Sequence, residues 1–321
     1  MTTAKKKKGL FKKYNEMERK QILFVYLILL FPMIQIAVMY FYVNFSSILL
    51  AFQGSEGFTL GNFERVFTAF KEGLDGVGLN PALSLRNSVI IFVTSQGFTL
   101  TIGLLTTYML TKHMIFSRFF RVVYSLPGLV GGVVFSSTML TMYQYNGPVV
   151  SVLQSMGIDL PMVILEQGLL GNDGTAFGTL LFQNIFFGLA GGGMVLAGAF
   201  MRIPQEVFEA SKLDGCGFFR ETFQLAIPCV WPTISTLFLF ALCGVFTGDL
   251  SFYLYSHGTG SYGMTSIGFY LYKYQTLFSE QNATFHYGYL SAFGVLITLM
   301  TLPLTLLGTW AASKFGQDVE F

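Results

Sequence analysis

Apolar positions in this chain cluster in blocks the length of whole helices rather than alternating at short range. Six such blocks run at about Ile22–Val43, Asn87–Thr111, Phe119–Tyr143, Ala176–Met201, Ile227–Leu250 and Tyr287–Ala312. Each reaches the roughly 20 residues that a helix needs to cross a bilayer. Between them, residues 44–86, 144–175 and 251–286 mix Gly, Asn, Ser and aromatic residues. Within the first of these, Phe63, Val66, Phe67 and Phe70 fall at helical spacing, which predicts a helix at the membrane interface. Helix breakers punctuate the blocks. Pro127-Gly128 interrupts the third, Pro232 the fifth and Pro303 the sixth, and Gly188, Gly191, Gly192, Gly193 and Gly198 loosen the fourth. Proline removes a backbone hydrogen bond and small residues let helices approach closely. The pattern predicts an all-α, polytopic membrane protein of six transmembrane helices, some of them bent.

Composition agrees. Of 321 residues, 53% are apolar and 11% charged, with a mean hydropathy of +0.58. Globular domains carry about 25% charged residues. The Lys and Arg residues then set the orientation. With the N-terminus inside, Lys5–Lys8, Lys12, Lys13, Arg19, Lys20, Lys112, Arg118, Arg121, Arg202, Lys212, Arg220 and Lys314 are cytoplasmic. Only Arg65, Lys71, Arg86 and Lys273 lie outside. So strong a bias predicts both termini in the cytoplasm. The first apolar block is too long for a signal peptide, and no small-x-small site follows it before Gln53, so it reads as an uncleaved anchor.

The organisation that follows is a basic cytoplasmic N-terminus (residues 1–21), a first transmembrane helix (22–43) and an extracytoplasmic segment (44–86). A core of five transmembrane helices (87–312) and a cytoplasmic tail (313–321) complete it. Cys216, Cys229 and Cys243 have neither disulfide nor zinc spacing, and His113, His257 and His286 are far apart, so no metal site is expected. No GxxxxGK[ST] loop occurs, and no catalytic cluster, so the chain itself is expected to bind no ATP and catalyse no reaction.

The informative segment is the cytoplasmic loop 202–226. Pro204 is placed to start a helix, Glu206 and Glu209 suit its first turns, and Gly215 and Gly217 end it. Phe218–Gln224 reads as a second short helix leading into Ile227-Pro228. The product is a small rigid projection on the inner membrane face, suited to docking a cytoplasmic partner.

Glu209-Ala210-Ser211, three residues, Gly215, nine residues, Leu225, one residue and Ile227-Pro228 resemble the EAA loop of ABC importer permeases. That pattern reads EAA-x3-G-x9-I-x-LP, and this chain departs from it conservatively at Ser211, Leu225 and Ile227. Asn44-Phe45-Ser46-Ser47, Phe58-Thr59-Leu60-Gly61-Asn62-Phe63, Arg86-Asn87-Ser88 and Asn146-Gly147-Pro148 are similar to the maltose and glycerol-3-phosphate-type group of sugar-uptake permeases. The resemblance implies a type I ABC importer permease fold in a bacterial cytoplasmic membrane. It implies a heterodimer with a second permease, two copies of a cytoplasmic ATPase that bind ATP and Mg, and an extracytoplasmic solute-binding protein. Nucleic acid has no place in it. On the same resemblance Glu209 is the polar contact of the coupling helix, Ala210 and Ser211 allow close approach, Gly215 permits the turn, and Asp214 and Arg220 face the ATPase.

Polar residues at membrane depth are the candidates for a sugar pathway, because they are costly unless satisfied. Gln183 and Asn184 in the fourth block and Asp249 near the end of the fifth rank first, joined by Tyr143 and Tyr253 as stacking faces. Two other readings compete. An importer of a non-sugar solute shares every feature of the loop. An ion-coupled secondary transporter needs intramembrane carboxylates, of which only Asp249 is available, and leaves the loop unexplained.

Overall fold

A computed structural model describes residues 16–54, 57–73, 80–112, 114–158, 160–246, 264–278 and 283–315. Its helices are α1 (Glu16–Ile36), α2 (Val43–Ala51), α3 (Gly61–Glu72), α4 (Pro81–Lys112), α5 (Ser117–Leu129), α6 (Gly132–Tyr143), α7 (Pro148–Ser155) and α8 (Met162–Gln167). They continue with α9 (Asp173–Arg202), α10 (Gln205–Leu213), α11 (Phe218–Arg220), α12 (Ile227–Cys229), α13 (Trp231–Cys243), α14 (Ile267–Phe278) and α15 (Ala283–Phe315). π-Helical turns at Ala37–Tyr42 and Glu221–Ala226 join α1 to α2 and α11 to α12 without a break. A two-residue antiparallel pair, Gln53–Gly54 with Gly57–Phe58, is the strand structure among the described residues.

Four helical stretches are long and apolar enough to cross a membrane: Lys20–Ala51, Pro81–Lys112, Gly174–Arg202 and His286–Lys314. Two pairs pass the same test only when taken together. Ser117–Leu129 and Gly132–Tyr143 meet at 92°, and Phe218–Cys229 and Trp231–Cys243 at 70°. The second break falls at Val230, and Pro232 opens the helix that follows, as the sequence predicts. The first break does not fall at Pro127, which stays inside α5, but at Val130-Gly131, where Val130 turns extended (φ −76°, ψ 132°). Pro303 likewise stays inside a continuous α15. The predicted interfacial helix is α3, and its Val66 and Ala69 are buried.

The spine of the fold is α4 against α9. At 1.5 Å per residue these helices of 32 and 30 residues run about 48 and 45 Å, so they span two separate cores. One core gathers Ala51, Val66, Ala176, Leu180, Ile267, Tyr270, Tyr274, Tyr289 and Phe293 at the α3 end. The other gathers Tyr108, Leu196, Phe200, Ile203, Phe208, Ala226, Val230 and Ile234 at the α10 end. By contrast the first helix buries nothing from Leu23 to Val43, while α2 at its end packs on α15 through the buried Ala51.

Glycine makes the central packing possible. A Cβ on Gly188 would sit 2.9 Å from Thr99 Oγ1 of α4, and one on Gly193 would overlap the Tyr124 ring of α5. Tyr124 is itself tied to α4 by a 3.2 Å hydrogen bond with Thr106. Gly193→Ala is therefore expected to cost about 1–3 kcal/mol, the usual penalty for overpacking a close-packed site. Thermal unfolding of the detergent-solubilised variant measures it; an unchanged midpoint contradicts this packing.

At the α3 end, side-chain amides lock loops in place. Asn62 Nδ2 donates to the carbonyls of Ala51 (3.1 Å) and Gln53 (3.0 Å). Asn87 Nδ2 donates to Thr265 O at 3.0 Å, and Ile267 N donates to Ser88 Oγ at 3.0 Å. The Arg65 guanidinium lies 5.3 Å from the centre of the Tyr289 ring, which stacks on Tyr274 at 4.5 Å. Burial pushes the phenols of Tyr270 and Tyr274 up, with Arg65 opposing the shift at Tyr274, so both stay neutral hydrogen-bonding groups.

Candidate functional site

The loop singled out in the sequence forms a projecting helix on a buried base. Pro204 (φ −57°, ψ 142°) immediately precedes α10, and its fixed φ suits a helix entrance. The helix ends in a Schellman turn. Gly215 takes φ +71°, its N–H donates to Lys212 O at 3.1 Å, and Cys216 N–H donates to Ser211 O at 3.0 Å. Gly217 does not end this helix but caps the next one, with φ −77° and ψ 166°.

α10 has two faces. Phe208 and Ser211 are buried, and the Ser211 hydroxyl donates to Phe208 O at 2.9 Å. Gln205, Glu206, Glu209, Ala210, Lys212, Leu213 and Asp214 are exposed, Leu213 to 90%. Of the residues predicted for coupling, Glu209, Ala210, Asp214 and Gly215 thus lie on the outer surface, and Ser211 faces the body of the protein. Glu209 Oε1 accepts from Gln205 Nε2 at 3.1 Å, a bond within the exposed face. Arg220 is exposed and donates to Gln224 Oε1 at 2.9 Å.

The base beneath α10 was not anticipated. Tyr108, fully buried near the end of α4, donates its phenol hydrogen to Oε1 of Glu221. Glu221 is itself buried, in the π-helical turn after α11. The rings of Phe200, Phe208 and Phe218 surround Tyr108 at centroid distances of 5.4, 6.4 and 5.9 Å. One turn beyond Tyr108, Lys112 Nζ lies 4.2 Å from the centre of the Phe208 ring, a cation–π distance. A buried carboxylate is costly unless hydrogen-bonded, and the Tyr108 phenol supplies that bond from 113 positions away, so no local sequence signal marks the pair.

The predicted pathway residues are scattered. Gln183 is buried on α9, and its amide oxygen has no hydrogen-bond partner among the described residues. Asn184 is half-buried and spends its amide on Leu180 O at 3.1 Å. Tyr143 ends α6 inside the core at the α3 end, and its carbonyl accepts from Leu169 N at 3.0 Å. Asp249 and Tyr253 lie outside the described residues. Among the described residues, no group of three His, Cys, Asp or Glu is placed to hold a metal ion.

The chain is similar in sequence and fold to known transport permeases. The probable ABC transporter permease protein YurN of Bacillus subtilis is 27% identical over 232 residues, covering 70% of this chain and 74% of that protein. The multiple sugar-binding transport system permease protein MsmF of Streptococcus mutans is 23% identical over 260 residues, covering 78% and 85%. The fold is similar to that in the crystal structure of a bacterial ABC transporter involved in import of the acidic polysaccharide alginate. There the TM-score is 0.75 at 17% identity, over 94% of this chain and 98% of the other. Residues 83–320 match the family described as binding-protein-dependent transport system inner membrane component, a stretch that holds α9, the α10 projection and all but the first two residues of α4, and the chain belongs to that family.

Proposed function

We propose that this chain is one permease subunit of an ATP-driven importer for a sugar or oligosaccharide, in a bacterial plasma membrane. It pairs with a second permease, and two copies of a cytoplasmic ATPase bind ATP and Mg below the pair. A solute-binding protein delivers cargo from outside. The chain crosses the membrane six times, each bent pair counting as one span, with both termini inside. The observation that carries the reading is the two-faced α10, whose exposed Glu209 and Leu213 stand on a buried aromatic base at one end of the α4–α9 spine. ATP-driven closure of the ATPases moves the two permeases as rigid bodies between inward- and outward-facing states. Family membership supports the binding-protein partner. Sugar cargo is supported by relatives whose names carry it. These include MsmF and the diacetylchitobiose uptake system permease protein NgcF of Streptomyces coelicolor, 26% identical over 238 residues. A likeness to the alginate transporter solved with an alginate pentasaccharide-bound periplasmic protein gives the same fold context, with a TM-score of 0.73.

In this reading Glu209, Ala210, Asp214 and Gly215 form the ATPase-facing surface, and Ser211 seats the helix. Gln183 and Asn184 line the sugar pathway with Asp249, Tyr143 and Tyr253. The Gln183 oxygen, without a partner among the described residues, is the strongest of these, because a buried acceptor needs a donor such as a sugar hydroxyl or water. The test is co-expression with the genomic neighbours, purification in detergent and an ATPase assay against a panel of oligosaccharides. Recovery of a second permease and an ATPase, with hydrolysis stimulated by one sugar class through the binding protein, is the expected result. Recovery of the chain alone, or as a homo-oligomer without ATPase, overturns it.

A further inference from the structure

We infer that the buried Tyr108–Glu221 pair is the link through which movement of the projecting helix α10 reaches the membrane helices. The inference rests on the importer reading above and deepens it, since it assigns positioning roles to residues that face no partner. Three contacts converge. Tyr108 belongs to α4 and its hydroxyl holds Glu221, which belongs to the helix leading into α13. The same ring is enclosed by Phe200 of α9, Phe208 of α10 and Phe218 of α11. Lys112, at the end of α4, sits over the face of Phe208.

A single side chain of α4 thus meets α9, α10, α11 and the π-helical turn that leads into α12. The contact types are suited to transmitting force. Aromatic packing resists compression, because interiors are close-packed and shift between discrete arrangements instead of deforming smoothly. A hydrogen bond to a carboxylate resists separation, and it is directional and among the stronger kinds. If the site served only to fill space, an apolar residue at position 221 would suffice, because replacing a buried polar contact by well-packed apolar groups is often neutral or stabilising. A carboxylate held there fixes one geometry of the loop on α4, and α4 carries that geometry along its contact with α9 toward Gln183.

Two variants separate this role from simple folding. Tyr108→Phe keeps the ring and removes the donor. Glu221→Gln keeps the shape and weakens the bond. Both are to be assembled with the second permease, the ATPases and the binding protein in proteoliposomes, and sugar uptake, ATP hydrolysis and the yield of assembled complex measured together. The expected result is normal yield with sugar moved per ATP reduced about fivefold or more. A spin-label pair at Phe219, exposed on α11, and Thr111 adds a readout that a purely structural role does not move. In the wild-type chain the distance between the labels stays constant on ATP binding, because the loop and α4 travel together. In Tyr108→Phe it broadens and shifts. Unchanged sugar per ATP in both variants overturns the inference. So does a loss of uptake that merely follows a loss of assembled complex. Either result leaves the importer reading standing, which fails separately if the wild-type chain recruits no ATPase.

Discussion

Reversing the charge at Glu209, in Glu209→Lys, is expected to abolish sugar-stimulated ATP hydrolysis and uptake while the membrane bundle stays folded. The fold asks little of this side chain. It is exposed, and its carboxylate accepts a hydrogen bond from Gln205 one turn earlier on the same helix. Surface substitutions of this kind change stability by about 0.5 kcal/mol or less. A docking face is less forgiving, because like charges brought together across an interface cost several kcal/mol and each 1.4 kcal/mol is tenfold in affinity. Binding of the ATPase is therefore expected to weaken on the order of a hundredfold. Neighbouring substitutions sharpen the test. Lys212→Gln alters the same exposed face, and its effect is expected to be smaller because it removes a charge without opposing one. Ser211→Ala alters the buried face, where it removes only the hydroxyl bond to Phe208 O. Pull-down of the ATPase at increasing salt, with hydrolysis measured alongside, checks all three. Normal recruitment and normal uptake by Glu209→Lys removes α10 from the coupling role.

What the sequence shows and what it hides divide along one physical line. Features set by local chemistry were legible. Helical spacing around Phe63–Phe70 gave α3, and Pro204 and Gly215 bounded α10 because each residue type has its own backbone preference. Long apolar blocks gave the four helical stretches long and apolar enough to cross a membrane for the same reason. Features set by distant pairing were not. Tyr108 and Glu221 are separated by 113 positions, and nothing local in either segment says that the phenol meets the carboxylate. The inward orientation of Ser211 is a matter of which face of α10 finds Tyr108, and the residue type fits either face. The break in the third block moved from Pro127 to Val130-Gly131 because a proline late in a helix removes one bond without ending it, while flanking glycines carry no side-chain packing that holds the turn. The end of α2 at Ala51 and the start of α4 at Pro81 also lie beyond the apolar limits at Val43 and Asn87. Asn62 holds the end of α2 through the carbonyls of Ala51 and Gln53, and Asn87 ties α4 to Thr265 O, side-chain bonds that hydropathy does not register.

Gly215→Pro is the substitution expected to act most strongly on the loop itself. Gly215 sits at φ +71°, whereas proline is fixed near −65°. The substitution also removes the N–H that donates to Lys212 O, and opening that turn breaks the Cys216 to Ser211 bond with it. A residue with a side chain costs about 1–2 kcal/mol in the left-handed region, and each lost backbone bond adds about 1 kcal/mol. The total exceeds what a nine-residue helix can hold unaided, since helices this short depend on tertiary contacts. The first turns of α10 keep theirs through Phe208, so the damage falls on Lys212 to Gly217. Limited trypsin digestion is expected to cut after Lys212 about tenfold faster than in the parent chain, and uptake is expected to be lost. Gly217→Pro is the control two residues away. Its φ of −77° already lies in the proline range, and a Cβ there meets open space, so digestion and uptake are expected to stay near those of the parent. The long spans α4 and α9 hold the Tyr108 base in both variants, and the thermal midpoint of the solubilised protein is expected to change little in either. Equal behaviour of the two variants shows that the left-handed turn at Gly215 does not position the coupling helix. A large separation assigns that task to this one residue and, through the bond to Lys212 O, to the turn it closes.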